Sequence, residues 1–136
     1  MITAIDSSVV LDLFEAEAPF GPHSREAMRA ARKAGAILAV AAVWAEVRAH
    51  FDSDEHHAVA MEDLGIEFSP PLLATAARAG AMWREYRRAG GQRSRVTTDF
   101  LIGAHALLQA DCLLTRDRGF YRTYFSSLRL LTPEID

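Results

Sequence analysis

Strand-length apolar runs at residues 1–5, 36–40, 65–68, 112–115 and 128–131 recur between longer stretches with helical spacing. The runs are more nearly continuous than alternating in hydrophobicity, so both faces of the strands they form must be covered. Parallel strands need long crossovers, and the intervening helices supply them. The pattern predicts one α/β domain over residues 1–136, a sandwich with a central, mostly parallel sheet of four to five strands flanked by helices. A chain of this length removes roughly two thirds of its unfolded surface from water and folds without staples.

The helices are set off by recognisable start and stop signals. Ser7 or Ser8 can cap a helix over 9–17 with Val9, Val10, Leu13 and Phe14 on its apolar face, and Pro19-Phe20-Gly21-Pro22 breaks it. A more polar helix over 23–34 stops at Gly35. The next begins near Ala42 and carries Val43, Trp44, Val47 and Phe51 around Glu46, and residues 53–64 form another polar helix. Pro70-Pro71 sets up the longest helix, 72–88, closed by Gly90-Gly91. Its expected inward side is Leu72, Ala76, Ala79, Gly80, Trp83 and Tyr86. Helices over 98–109 and 119–125 complete the set.

Cys112 is the only cysteine, which excludes a disulfide framework and a cysteine zinc site and favours a reducing cytosol. The first residues lack the basic flank of a secretory leader, and the longest apolar run, 34–45, is too short to span a bilayer. A soluble cytoplasmic protein with no membrane partner is expected. The net charge of -3 hides an asymmetry: residues 1–70 hold twelve acids and five bases, residues 71–136 six acids and ten bases. The second half is the candidate polyanion-facing half.

In open parallel sheets, ligands bind outside the carboxyl ends of the strands. Asp6 and Asp117 follow two strands directly, Glu46 sits just after another, and Asp99 opens a helix that feeds the sheet. The topology therefore permits all four to converge on one edge. Singly, three have ordinary explanations: Asp6 as a helix cap, Asp99 as a complement to a helix dipole, Asp117 as a turn former. Glu46 is harder to dismiss, because its neighbours Val43, Trp44, Ala45 and Val47 are apolar and an unpaired acid there is costly to bury. Gly103, one turn after Asp99, would let another backbone or a ligand approach closely.

If the four meet, repulsion dominates. Two carboxylates about 4 Å apart repel by roughly 4 kcal/mol at an effective dielectric near 20, and four ionised ones demand a cation. An all-oxygen set points to Mg²⁺ or Mn²⁺ and away from zinc. Such a centre lowers the pKa of bound water and neutralises charge on a phosphodiester under attack. Ser7 and Thr115 place hydroxyls beside Asp6 and Asp117, suited to orienting a water or a carboxylate, and equally suited to capping and turn formation.

Five features then give the chain a resemblance to the PIN-domain nucleases and, within them, to the VapC-type toxins of bacterial toxin-antitoxin pairs. They are Ile5-Asp6-Ser7-Ser8-Val9, Glu46 on its apolar helix, Tyr86-Arg87-Arg88-Ala89-Gly90-Gly91, Asp99-Phe100-Leu101-Ile102-Gly103-Ala104-His105-Ala106, and Leu114-Thr115-Arg116-Asp117-Arg118-Gly119-Phe120. They occur in the right order along essentially the whole chain. The resemblance implies a PIN-like sheet in the order 3-2-1-4-5, with Asp6, Glu46, Asp99 and Asp117 as a metal-binding quartet and Thr115 as the accompanying hydroxyl. It also implies Mg²⁺-dependent hydrolysis of RNA phosphodiester bonds that leaves a 5′ phosphate. A homodimer is implied too, along with inhibition by a small VapB-type antitoxin whose tail enters the active groove, within a larger toxin-antitoxin complex. No acid of the quartet is missing or amidated.

On this reading Arg87, Arg88, Arg93 and Arg95, just before Asp99, and Arg116 and Arg118, flanking Asp117, hold RNA phosphates. The plainer alternative is a set of solvated helix faces. Glu46 and His50 have a spacing that suits zinc, but the second histidine of a zinc protease is missing. His56 and His57 point apart, His105 reads as a satisfied core histidine, and Trp83 and Tyr86 read as core or dimer contacts rather than base platforms. Two other functions compete. One is a non-catalytic PIN-fold module that binds nucleic acid or a partner, which the intact acids argue against. The other is phosphoryl transfer through Asp6, where Ser8 replaces the second acid such enzymes use and Lys33 is the only candidate lysine.

Overall fold

The computed structural model describes residues 1–15, 19–91 and 97–133. Its strands β1 (Thr3–Ile5), β2 (Ile37–Val40), β3 (Ile66–Ser69), β4 (Cys112–Leu114) and β5 (Leu130–Leu131) form one sheet in the order β3-β2-β1-β4-β5. Every neighbouring pair is parallel. The five apolar runs therefore become the five strands. Flanking them are α1 (Ser7–Phe14), α2 (Gly21–Ala34), α3 (Ala41–Arg48), α4 (Asp54–Asp63), α5 (Leu73–Arg88), α6 (Thr97–Gln109) and α7 (Arg118–Tyr124). Among the described residues, no helix is long and apolar enough to cross a membrane.

The chain steps outward from β1 to β2 to β3, then crosses back to place β4 and β5 on the other side of β1. Strand order thus reverses between β1 and β4, which opens a crevice at the carboxyl ends of those strands. The core beneath it is aliphatic: Val9, Val10, Val43, Val47, Leu113 and Leu114 have no exposed surface.

Two helices differ from the sequence expectation. α1 begins at Ser7 rather than Val9, so the two serines lie in its first turn and do not cap it. α5 is rotated relative to its expected inward side. Thr75, Ala79 and Tyr86 are buried, whereas Leu72, Leu73, Ala76 and Gly80 are exposed. Specific partners on α6 turn it: Thr75 donates to Gln109 Oε1 at 2.6 Å, and the Tyr86 ring meets Phe100 at 5.4 Å. Small Ala and Gly side chains carry too little area to outweigh such contacts.

Gly103 allows a close approach, but by the protein's own core. A Cβ there would lie 2.4 Å from the Phe125 ring, part of an aromatic cluster with Phe100, Phe120 and Tyr124. His105 is buried and its Nε2 lies 2.8 Å from Ser69 Oγ at the end of β3. Burial holds its pKa down to about 4.

Candidate active site

The β1–β4 ladder continues one rung past β1, because the Asp6 N–H donates to the Leu114 carbonyl at 2.9 Å. Asp6 is thereby held beside Thr115. The Thr115 hydroxyl donates to Asp6 Oδ2 at 2.6 Å and accepts from the Asp117 N–H at 3.0 Å. One buried hydroxyl therefore fixes both the carboxylate at the end of β1 and the turn that carries Asp117.

Ser8 Oγ donates to the same Asp6 Oδ2 at 3.3 Å. Ser7 Oγ lies between two acids, 3.2 Å from Glu46 Oε2 and 3.5 Å from Asp6 Oδ1. It has a single proton to give. Glu46 reaches this point from the second turn of α3, and Asp99 stands in the first turn of α6, which packs against α3.

Charge couples these groups. Burial lifts the Asp6 carboxyl above its ordinary range. Hydrogen bonds from Thr115, the Ser7 backbone and Ser8 oppose that shift, and the charge of Asp117 adds to it. Glu46 is lifted first by desolvation, opposed by Ser7, and pushed further by the charges of Asp6 and Asp99. Among the described residues, no lysine or arginine is among the groups that shift either acid. The fold thus links Asp6, Glu46 and Asp117 through Ser7 and Thr115, with Asp99 near enough for its charge to act on Glu46. Among the described residues, no three His, Cys, Asp or Glu side chains are drawn together tightly enough to form a finished metal cage.

The arginines are less uniform. Arg116 is half-buried, with Nε 2.8 Å from Asp12 Oδ2 and Nη2 3.2 Å from Asp12 Oδ1, and its guanidinium lies 4.4 Å above the Phe20 ring. Its charge is matched within the protein. Arg118 is exposed at the start of α7. Arg87 and Arg88 are exposed at the end of α5, Arg87 lying 5.0 Å over Trp83. Arg93 and Arg95 lie outside the described residues. Among the histidines, His56 pairs with Asp52 at the surface and His57 is buried between Trp44 and Phe51.

Two participants escape a reading of the sequence. Ser8 is a second hydroxyl on Asp6, and at this position it reads equally well as a cap. Asp12 is buried and bridges Ser24 Oγ, at 2.8 Å, and Arg116. It carries the same signal that singles out Glu46, an acid among apolar helix neighbours.

The PIN domain family model matches residues 3–126. Among curated protein sequences, none matches the chain significantly. Among solved structures, VapBC2 from Rickettsia felis, bound to a DNA fragment from its promoter, aligns with a TM-score of 0.75 and 15% identity, covering 98% of this chain and 100% of that one. VapBC-1 from nontypeable Haemophilus influenzae aligns with a TM-score of 0.70 and 19% identity over 97% and 98% of the two chains. A toxin-antitoxin complex from Klebsiella pneumoniae gives 0.70 and 18% over 98% and 99%. At such identities these structures share the fold. With the family model spanning nearly the whole chain and the sheet order observed, the chain belongs to the PIN domain family.

Proposed function

We propose that this chain is a VapC-type toxin, a divalent-metal-dependent endoribonuclease that works in the cytoplasm. The observation that carries the reading is the pair Asp6 and Glu46. Both are raised by desolvation and by neighbouring acids, they share one serine proton, and among the described residues no lysine or arginine offsets them. An all-carboxylate, oxygen-only set of this kind fits Mg²⁺ or Mn²⁺. Asp6, Glu46, Asp99 and Asp117 are the residues that would hold it. When bound, the ion supplies charge neutralisation at a phosphodiester and a lowered pKa for the attacking water.

The chain's own side chains do the positioning. Thr115 and Ser8 fix one oxygen of Asp6, and Ser7 ties Asp6 to Glu46 so that the two carboxylates keep a constant relation. Exposed Arg87, Arg88 and Arg118, with Arg93 and Arg95, hold the phosphates of the RNA strand. Arg116 acts from its fixed position on Asp12.

The structural likeness to VapBC complexes supports a VapB-type antitoxin as the partner. A homodimer is supported by an apolar surface where β3 leads into α5. Phe68, Leu72, Leu73 and Leu108 are exposed there, Leu73 to 88%, and the Leu72 N–H is tied to Gln109 at 3.1 Å. Patches of this kind mark interaction sites, and a second copy would cover this one.

Incubation of the purified chain with single-stranded RNA of defined sequence tests the activity. Internal cleavage that leaves 5′-phosphate ends is expected with Mg²⁺ and is lost in excess chelator. Full activity in chelator, or undiminished cleavage by Asp99→Asn, would sink the reading.

A further inference from the structure

Along α1 lies a cavity of about 460 Å³. That is within the range of roughly 300–1,000 Å³ found for small-ligand sites. Ser8 forms part of its wall, and the Ser8 hydroxyl touches Asp6 Oδ2 at 3.3 Å, so one residue is shared by the cavity and the acid cluster. Leu11, Phe14 and Phe51 give it an apolar side, with the two rings edge to face at 5.2 Å. Asp12, Glu15, His50 and Arg116 give it a polar side, with Asp12 already engaged by Ser24 and Arg116.

We infer that this cavity receives a single unstacked RNA base, and that the base is guanine. The inference rests on the nuclease reading above and names a specificity site for it. An aromatic wall suits the flat face of a base, and such stacking is tolerant of base identity. Selection comes from the polar wall. The exposed Glu15 carboxylate is an acceptor matched to the N1–H and exocyclic amine of guanine, and Arg116 is a donor matched to its O6 and N7. Arg116 is also preorganised. Asp12 holds one edge of its fork and Phe20 covers one face, so little side-chain freedom is lost when a base binds. Adenine offers an acceptor where Glu15 needs a donor, and cytosine and uracil have no N7 to join a carbonyl oxygen in a two-point contact with Arg116.

Two measurements on the full chain test this. The first is kcat/KM on single-stranded RNAs that differ only at the positions flanking the cut. Guanine at one adjacent position should be preferred by about tenfold or more, and inosine, which lacks the exocyclic amine, should lose most of that preference. Glu15→Gln, a surface change, should cleave the guanine and inosine substrates alike. A preference for cytosine, or no preference, overturns the inference while leaving the nuclease reading intact.

The second is guanosine monophosphate binding without divalent ions, followed by NMR signals of His50 and Phe51. Binding should exceed that of the other three nucleotides in both the wild type and Asp99→Asn, and weaken about tenfold in Glu15→Gln. Guanosine-specific binding in a chain that cleaves no RNA would overturn the nuclease reading and keep the pocket. Equal binding of all four nucleotides, or a response to a partner protein but not to guanosine monophosphate, would overturn the pocket.

Discussion

Asp6→Asn is expected to lower RNA cleavage by on the order of 10³-fold or more while making the metal-free chain more stable by about 1 kcal/mol. The two effects share one cause. Asp6 is 7% exposed, its charge is desolvated, and Asp117 repels it, so in the absence of a cation ionisation works against the fold. An asparagine keeps the main contacts. Its carbonyl can accept from Thr115 and Ser8, and its amide can face the Ser7 hydroxyl, whose proton then goes to Glu46. The charge is lost. Cleavage rates and urea midpoints in chelator measure the two sides. A variant that keeps activity, or one clearly destabilised, would mean that Asp6 serves the fold rather than the reaction.

The second large effect concerns acid stability. His105 has a folded pKa of about 4, below the ordinary histidine value, because burial disfavours its charged form. Above the unfolded value of roughly 6.5 both states are neutral and the full stability is present. Below it the unfolded chain takes up a proton that the folded chain refuses, so stability falls until the pH has passed through the folded pKa. The total is about 3 kcal/mol, of which about 2 kcal/mol is lost between pH 7 and pH 5. Asp6 and Glu46 act in the opposite sense. Their raised carboxyl groups make the folded chain bind protons more readily, which adds stability as the pH falls. Urea unfolding of wild type and His105→Gln at the two pH values separates the terms. The wild type should lose about 2 kcal/mol more than the variant over that interval. Parallel losses would show that His105 takes up its proton in the folded state.

What the sequence reveals and what it hides follow from the range of the interactions involved. The strands are legible because a short, doubly covered strand must be apolar along its own length, as Ile37–Val40 and Cys112–Leu114 are. Asp6 and Asp117 are legible because they closely follow those runs, and a parallel sheet gathers its strand ends on one edge. The rotation of α5 is not legible, because alanines and glycines on both sides of a helix mark no inward face. Thr75 and Tyr86 decide it through partners on α6 that lie far along the chain. Gly103 announces a close approach without naming what approaches, and the Phe125 ring is 22 residues away in sequence. The Asp12 partner of Arg116 is not legible either, because it lies 104 residues away in sequence.

The central claim is that four carboxylates from β1, α3, α6 and the turn after β4 make one cation centre. Mn²⁺ titration followed by electron paramagnetic resonance tests it most directly, on the wild type and on Asp6→Asn, Glu46→Gln, Asp99→Asn and Asp117→Asn. Saturable binding in the wild type is expected, weakened about tenfold or more by each single substitution. Wild-type Mn²⁺ affinity in any two of the four variants would contradict it.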